Sequence, residues 1–355
     1  MENMKSKHLV IDCRMINSSG IGTYLKNIIP GIILSNEYNI TCMGYNELKD
    51  FDWFTRVKFV NLKAPILSFS EQIELPLKIP KCDIFWSPNW NIPLLPIRAK
   101  KRIVTIHDVY HLANPIHFSY FKINLVKLYM KFIKISSENV ITVSKFSKEE
   151  IIKHTSIPSE NITVIYLAVD DNFNEFTPLK IKDEEYILFV GNVKPHKNLK
   201  LSLEAFKLIK NKNVKFYIVG QKEGFITNDI VLMDSMKNLS SRVVFTGHIS
   251  DDELKNYYKY AKMFLFPSTY EGFGLPILEA MKFDLPIIAS RSASIPEVAG
   301  DKVIYFDSSN VNDLINKIDD FFLGKLNCPI NEYSDHLRNF EWKRTVFMHI
   351  RILNK

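Results

Sequence analysis

The stretch that decides the fold reads Pro267-Ser-Thr-Tyr-Glu-Gly-Phe-Gly-Leu-Pro-Ile-Leu-Glu-Ala-Met281. The apolar run Met263–Phe266 leads directly into it, so the predicted order is a strand, a tight glycine turn and the N-terminus of a helix. Pro276 suits the first position of that helix, because its missing N–H would have no partner there in any case. Proteins of the α/β class bind phosphates at this kind of junction.

The same stretch carries two glutamates, Glu271 and Glu279, with seven residues between them. Glu271 is predicted to lie in the loop before the helix, and Glu279 one turn inside it. The backbone amides around Phe273, Gly274 and Leu275 are then free to face an anion at the positive end of the helix. A diphosphate bound there has one carboxylate at each end, so the stretch predicts a nucleotide-sugar site.

These residues resemble the Glu-x7-Glu signature of the retaining glycosyltransferases of family 4, which have the GT-B fold. The match continues in Pro286-Ile-Ile-Ala-Ser290 and Ile295-Pro-Glu-Val298, and it is strongest between residues 186 and 306. In the first half of the chain it rests on short motifs. The resemblance implies two Rossmann-like doubly wound domains that face a cleft, with a C-terminal helix that crosses back to the N-terminal domain.

Strands and helices alternate along the whole chain, which by itself favours a doubly wound α/β architecture. A length of 355 residues allows about two domains. We place an acceptor-side Rossmann-like domain at 1–175, a nucleotide-sugar-binding Rossmann-like domain at 176–330 and the returning helix at 331–355. The polar segment 170–185 is the predicted linker. The predicted strands are Leu9–Asp12, Phe59–Leu62, Ile84–Ser87, Ile103–Ile106, Val140–Val143, Tyr186–Gly191, Phe216–Gly220, Val243–Gly247, Met263–Phe266 and Pro286–Ala289.

The composition is that of an ordinary soluble protein, with 46% hydrophobic and 24% charged residues. The sequence has no apolar run of the ~18 residues that a membrane-spanning helix needs. The first apolar run, Leu9-Val-Ile, ends at Asp12 and does not read as a signal peptide. Four widely spaced cysteines favour neither structural zinc nor a disulfide framework, so we expect a cytoplasmic protein. A peripheral position on the inner face of the cell membrane is the alternative location, and it depends on the distribution of basic residues.

The net charge of +7 is unevenly distributed, since the segment 98–134 holds eight Lys or Arg residues and a single acid, Asp108. Apolar residues recur there at helical spacing from Phe121 to Ile135, while lysines occupy another face. The pattern fits either a solvated helix face or attraction to an anionic membrane surface. Nucleic acid is not expected as a partner, because no nucleic-acid motif accompanies the charge. The cations of the membrane hypothesis are Arg98, Lys100, Lys101, Arg102, Lys127, Lys131 and Lys134.

A cation beside the diphosphate is needed because negative charge grows there as the bond to the sugar breaks. Lys197 is the leading candidate, since it lies in a loop between a predicted strand and a helix and resembles the family's diphosphate-binding lysine. Gly191 and Asn192, at the start of the same loop, are further donor-binding candidates. The family often has an arginine where this chain has Asn192, so Lys194 and His196 remain alternative cations.

Gly20 and Gly22 form a predicted Gly-x-Gly turn between the first strand and a helix that ends near Ile29. Such a turn also occurs in dinucleotide-binding oxidoreductases, but the longer G-x-G-x-x-G pattern fails because Leu25 stands at its third glycine. The resemblance implies that this loop closes over the donor phosphates and shapes the acceptor side. The alternative is a simple tight turn.

His107 follows the predicted strand Ile103–Ile106 and precedes Asp108, which places it at the carboxyl end of the strand. By resemblance, a histidine in such a pair contacts the donor sugar; otherwise its role is structural. His107 and His111 have a metal-like spacing, but no third ligand is evident and there is no His-Glu-x2-His motif. The sequence also has no Asp-x-Asp motif, so we expect neither a metal ion nor another cofactor.

The resemblance implies a retaining, metal-independent glycosyltransferase that moves a hexose, with mannose or rhamnose favoured, from a nucleotide sugar to a saccharide acceptor. The acceptor is expected to be lipid-linked, as in surface-polysaccharide or lipopolysaccharide assembly. By the same resemblance, Glu271 is expected to face the transferred sugar and Glu279 to bind the ribose hydroxyls. A covalent intermediate and same-face attack both remain open. The alternatives are a sugar-nucleotide epimerase or a phosphorylase of the same fold, or a non-catalytic sugar-nucleotide-binding scaffold.

Overall fold

A computed structural model describes residues 6–170, 173–179, 184–220 and 241–355 of the chain. The chain divides into two compact units. Met1–Leu167 together with Trp342–Lys355 form the N-terminal unit, and Ala168–Glu341 form the C-terminal unit. Residues 171–172 and 180–183 of the predicted linker lie outside the described part of the chain.

The N-terminal unit is built on a parallel sheet that has seven strands within residues 6–170, in the order β3-β2-β1-β4-β5-β6-β7. Each strand pairs in parallel with its neighbours. The strands are β1 Lys7–Asp12, β2 Tyr38–Gly44, β3 Lys58–Asn61, β4 Cys82–Ser87, β5 Ala99–Ile106, β6 Asn139–Thr142 and β7 Ile162–Val164.

The helices of this unit cover both faces of the sheet. They are α1 Ser19–Ser35, α2 Phe69–Lys78, α3 Tyr110–Ala113, α4 Tyr120–Ser136, α5 Lys145–His154 and, from the end of the chain, a helix at Trp342–Asn354. Val104 of β5 packs in one apolar cluster with α4 and α5, whereas the neighbouring Thr105 bonds Tyr24 of α1. Because successive strand residues point to opposite faces, α4 and α5 lie on one face and α1 lies on the other.

The C-terminal unit repeats the design with a parallel sheet of six strands among its described residues, in the order β10-β9-β8-β11-β12-β13. These strands are β8 Tyr186–Val190, β9 Lys215–Val219, β10 Val243–Gly247, β11 Met263–Phe266, β12 Ile287–Ser290 and β13 Ile304–Phe306. The helices are α6 Leu199–Leu208, α7 Asp251–Tyr260, α8 Leu275–Lys282, α9 Ile295–Ala299, α10 Val311–Phe322 and α11 Tyr333–Leu337. The helix Trp342–Asn354 is therefore α12.

The fold class predicted from the sequence is confirmed, with two Rossmann-like units and a C-terminal helix that returns to the first. Three strands were not predicted: β2, β7 and β13. Two of these are only three residues long, and a buried strand that short has no alternation to detect. The helix α1 was predicted too short, because it continues past Pro30 to Ser35 rather than ending near Ile29.

The predicted turn at Gly20 and Gly22 is wrong, because both residues lie inside the first turns of α1. A Cβ atom at Gly22 would meet the backbone oxygen of Ile16 at 2.4 Å, whereas one at Gly20 would meet nothing within 4 Å. Glycine is therefore required at position 22 by the close approach of the β1–α1 loop to the helix. At position 20 no packing reason for glycine is evident.

We expect Gly22→Ala to destabilise the N-terminal unit by about 1–3 kcal/mol, because the new methyl group forces the loop away from the helix. Gly20→Ala is the matched control in the same helix, and it is expected to be neutral or to stabilise by up to ~1 kcal/mol through helix propensity alone. Urea unfolding followed by circular dichroism measures both. Equal effects of the two substitutions would contradict this account of Gly22.

Candidate functional site

The loop after β8 presents Lys197 in the C-terminal unit. The loop begins at Gly191, whose φ of 147° lies in a region that favours glycine, and a short 3-10 helix at Pro195–Lys197 follows. A Cβ atom at Gly191 would lie 3.6 Å from Cε of Lys197, so the lysine side chain lies back along the start of its own loop. Nζ of Lys197 also lies 5.7 Å from the centre of the Phe266 ring, at the end of β11.

Lys197 and Glu271 form an ion pair between two loops at the same edge of the sheet. Nζ of Lys197 lies 2.6 Å from Oε1 of Glu271, and both side chains are mostly buried. The two loops are also joined by the amide of Thr269, which donates to the carbonyl oxygen of His196 at 2.7 Å. An ammonium group has three N–H donors, so the contact with Glu271 leaves further donors for an anionic ligand.

The loop that carries Glu271 is fixed by buried serine hydroxyl groups. The hydroxyl of Ser294 donates to the carbonyl oxygens of Glu271 and Phe273, at 2.9 and 2.7 Å. Ser290, at the end of β12, donates in the same way to the carbonyl oxygen of Ser268. These bonds satisfy backbone acceptors that no strand or helix pairs, so the loop has a defined conformation without ligand.

The N-terminus of α8 offers amide groups beside this loop. Gly274 precedes the helix with a φ of 112°, and Pro276 is its second residue rather than the first. Within the described residues, the amide N–H groups of Gly274 and Leu275 make no hydrogen bond. The start of an eight-residue helix therefore carries open donors at its positive end, as the sequence predicts. Phe273 is buried, and its ring packs edge-on against Phe340.

Glu279 lies one turn into α8 and contacts α7. The hydroxyl of Tyr258, a fully buried residue, donates to Oε2 of Glu279 at 2.9 Å. Burial raises the pKa of Glu279 to about 7, although the bond from Tyr258 acts to lower it, and the charge of Asp251 adds to the rise. Glu279 thus titrates near neutral pH, which is unusual for a glutamate.

His107 lies in the N-terminal unit, directly after the carboxyl end of β5. Its Nε2 lies 3.0 Å from the carbonyl oxygen of Pro88, which can only accept, so Nε2 carries the proton. Burial lowers the pKa of His107, although the Pro88 carbonyl and the charge of Asp108 act to raise it. The ring is therefore neutral at physiological pH, and its Nδ1 is an acceptor for a ligand hydroxyl.

A buried hydrogen-bond network lies next to His107 and includes the C-terminal helix. The ring of Tyr24 meets the ring of His107 edge-on at 5.1 Å. The Tyr24 hydroxyl lies 2.6 Å from Nε2 of His349 on α12 and 3.1 Å from the hydroxyl of Thr105. Nδ1 of His349 bonds the carbonyl oxygen of Thr345 at 2.7 Å, so Nε2 accepts from Tyr24. Burial lowers the pKa of His349 to about 4, which keeps this acceptor unprotonated.

The loop between β1 and α1 is held by buried charges that the sequence analysis missed. The guanidinium of Arg14 lies 2.6 Å from Asp12 and 2.5 Å from Glu71, and Asn91 donates to the same oxygen of Glu71. Burial acts to lower the pKa of Arg14, but the carboxylates of Asp12 and Glu71 outweigh it and raise that pKa.

The predicted site residues fall into two groups. Lys197, Glu271 and the start of α8 come together in the C-terminal unit, with Gly191 against Lys197 and Glu279 one turn further along the helix. The N-terminal unit contains Gly20, Gly22 and His107. Asn192 follows Gly191 at the end of β8. Among the described residues, no three His, Cys, Asp or Glu side chains are grouped as a metal site requires, and the expectation that no metal takes part stays a prediction.

Tyr258 and Ser294 are the site residues that sequence reasoning missed. Ser294 directly precedes the quoted segment that begins at Ile295, so its position before a helix was the one available signal. Tyr258 had no signal, because it reaches Glu279 from a helix that precedes it by a whole strand and loop.

Each half of the chain matches a known protein family. Residues 170–338 match the family described as Glycosyl transferases group 1, and residues 19–173 match the family described as Glycosyltransferase Family 4. The two matches overlap by a few residues and together cover residues 19–338.

Among curated proteins, the chain is 28% identical over 240 residues to O-antigen chain mannosyltransferase B of Escherichia coli. It is 29% identical over 244 residues to the O-antigen chain mannosyltransferase RfbU of Salmonella typhimurium. These matches cover 64% and 68% of this chain. They span 62% and 65% of the relatives, which is less than two thirds of the length of either.

Solved structures share the fold at low sequence identity. HepE of Anabaena, in complex with UDP and glucose, superposes with a TM-score of 0.78 at 16% identity, over 98% of this chain and 99% of that one. Sucrose-phosphate synthase of Thermosynechococcus elongatus gives 0.76 at 14% identity, over 98% of both chains. The solved structures show that the chain has the GT-B fold, and the two family matches over residues 19–338 show that it belongs to the family-4 glycosyltransferases.

Proposed function

We propose that this protein is a retaining, metal-independent glycosyltransferase that moves a hexose from a nucleotide sugar to a saccharide acceptor. The observation that carries the proposal is the arrangement in the C-terminal unit. There, the Lys197 ammonium, the Glu271 carboxylate and the open amides of Gly274 and Leu275 lie at one edge of a parallel sheet. This set of groups suits a diphosphate attached to a sugar.

The donor diphosphate binds at the start of α8, where Lys197 and the helix amides neutralise it. The bond between the anomeric carbon and the diphosphate oxygen breaks, and its electron pair leaves on the diphosphate. Cations and amide dipoles already placed there stabilise this charge, which is how they raise the rate. Glu271 faces the sugar and stabilises the positive charge that develops on its ring.

The acceptor hydroxyl then bonds to the same carbon on the face that the diphosphate leaves, and its proton passes to the departing diphosphate. This order retains the anomeric configuration and needs no covalent enzyme intermediate. His107 of the N-terminal unit is the predicted sugar-binding histidine, and its Nδ1 can accept a hydrogen bond from a sugar hydroxyl. Its neutral ring makes this possible, because a protonated imidazole has no acceptor.

We further propose a mannose-type donor and a lipid-linked saccharide acceptor, in surface-polysaccharide or lipopolysaccharide biosynthesis. The names of the two curated relatives, both O-antigen chain mannosyltransferases, support this choice. The reaction then takes place in the cytoplasm, at the inner face of the cell membrane. No helix in the described ranges is both long and apolar enough to cross a membrane.

Lys197→Ala is expected to lower turnover roughly tenfold to a hundredfold, because a charge-assisted contact is worth ~1.5–3 kcal/mol. The measurement is nucleotide release from GDP-mannose, dTDP-rhamnose, UDP-glucose and ADP-glucose, with and without a lipid-extract acceptor. Lys194→Ala is the matched control, because Lys194 is exposed in the same loop, and it is expected to keep its turnover. Glu271→Ala should lose turnover as Lys197→Ala does.

Two results of this experiment would contradict the proposal. Release from no donor by folded wild-type protein, even with the acceptor, favours a sugar-nucleotide-binding scaffold. Conversion of the donor to an epimer without any acceptor favours an epimerase. An equal loss in Lys194→Ala would contradict the role of Lys197 in particular.

Affinity for the donor is expected to fall as the pH drops below 7. The pKa of Glu279 is about 7, and only the carboxylate accepts hydrogen bonds from both ribose hydroxyls, so binding is complete above this pH and weakens below it. Calorimetry with GDP-mannose between pH 5.5 and 8.5 measures this, because the phosphates of a nucleotide sugar are diesters and stay ionised throughout.

Two variants test the assignment to Glu279. Glu279→Gln should bind more weakly and without this pH dependence. Tyr258→Phe removes the hydrogen bond that lowers the pKa of Glu279, so its midpoint should move to higher pH. A midpoint that persists in Glu279→Gln would assign the titration to another group.

A further inference from the structure

The outer face of α4 is apolar although it is exposed. Tyr120, Phe121, Leu128 and Ile135 on this helix, and Ile116 just before it, are between 42% and 88% exposed. The helix has a second apolar face, which includes Met130 and Ile133 and packs against the sheet. The exposed residues are therefore not needed for the core of the N-terminal unit.

The helix α2 carries a further stripe of exposed apolar residues. Phe69, Ile73 and Leu77 are spaced four residues apart, so they form one stripe on α2, and all three are exposed. The Nε2 of Gln72 donates to the hydroxyl of Tyr129 on α4 at 2.9 Å, so a hydrogen bond links the two helices. We call the exposed apolar residues of the two helices, with Ile116, the α2/α4 face.

One side of α4 carries three lysines at the positions i, i+4 and i+7. Within the part of the chain that the structure describes, Lys127, Lys131 and Lys134 form no ion pair and no side-chain hydrogen bond. They line a groove of about 410 Å³ whose other wall includes His154. The nearby carboxylate of Glu150 already contacts His154 and Lys153, so the groove keeps an excess of positive charge.

The other cations of the basic segment are used differently. On β5, Lys100 pairs with Asp83 and Lys101 with Glu138, while Arg102 donates to backbone carbonyl oxygens. Three of the four cations in the compact cluster of the sequence are therefore already engaged by carboxylates or carbonyl oxygens. The unpaired lysines of α4 are therefore the main candidates for attraction to an anionic membrane.

We propose that the α2/α4 face docks onto a bilayer that contains anionic phospholipids. The exposed aromatic and aliphatic side chains enter the interface between headgroups and acyl chains, and the lysine groove binds lipid phosphates. Unpaired lysines beside an apolar band provide both signals that stable attachment to a membrane surface requires. Docking does not depend on the proposed transfer reaction, because it needs neither donor nor acceptor.

The wild-type protein is expected to sediment with vesicles that contain phosphatidylglycerol and phosphatidylcholine, and to do so less at high salt. The triple variant Lys127→Gln, Lys131→Gln and Lys134→Gln should bind about a hundredfold more weakly, at roughly fivefold for each lysine. The double variant Tyr120→Ser and Phe121→Ser should weaken binding to the same vesicles by removing the apolar contribution. All five side chains are exposed, and thermal unfolding monitors the fold of each variant.

The matched control removes three charges from the opposite face, with Lys26→Gln, Lys343→Gln and Arg344→Gln on α1 and α12. This control should bind as the wild type does. Equal weakening in the control, no vesicle binding by the wild type, or wild-type binding that is independent of phosphatidylglycerol would overturn the proposal. Nucleotide release in solution, measured on the same variants, should be unchanged, which separates a failure of docking from a failure of the proposed reaction.

Discussion

The parallel pairing of β8 with β11 is the constraint on which the candidate donor site depends. These strands are far apart in the sequence, but their register aligns Ile187 with Met263 and so brings both carboxyl ends to one edge of the sheet. The loops that follow are then neighbours, and Lys197 meets Glu271 although 74 positions separate them. The sheet brings the two loops together, and further hydrogen bonds fix their conformation. These bonds run from Thr269 to His196 and from Ser294 to the loop of Glu271. Strand order thus determines which charges can act together.

In the N-terminal unit, buried polar groups fix the loops and helices beside the sheet. Arg14 is held by two carboxylates, and removing its guanidinium would leave both of them buried without a cation. The pairing ties the loop after β1 to α2 through Glu71, in the same region where Ile16 approaches the helix at Gly22. On the other face of the sheet, Tyr24 links α1 to the C-terminal helix through His349. The returning helix therefore contributes a specific acceptor to the core beside His107, in addition to apolar packing.

Much of this organisation is predictable from the sequence, because local signals and topology agree there. The strand before Pro267, the glycine at position 274 and the helix after it are each indicated by residue type, and the structure contains all three. Contacts between distant segments are a different matter. No pattern announces that Tyr258 donates to Glu279 or that Arg14 pairs with Glu71, since each depends on where a helix settles on the sheet. The turn assigned to Gly20 and Gly22 failed for a related reason: a glycine can be needed for close packing as well as for backbone conformation.

The helix α4 shows most directly what periodicity can and cannot determine. Of the apolar residues noted at helical spacing, Phe121, Leu128 and Ile135 lie on the outer side of the helix, and Leu125 and Phe132 are half-buried against the core. The fully buried side consists of Val126, Tyr129, Met130 and Ile133. When a helix has two apolar stripes, the sequence alone does not show which stripe faces the sheet. Packing against the strands decides this. Replacing the exposed apolar residues with polar ones would remove no contact from the core. The fold itself therefore does not explain why these residues are apolar. The lysines beside the stripe suggest an explanation. An exposed apolar stripe next to unpaired cations is suited to a membrane surface, where anionic headgroups lie above an apolar interior.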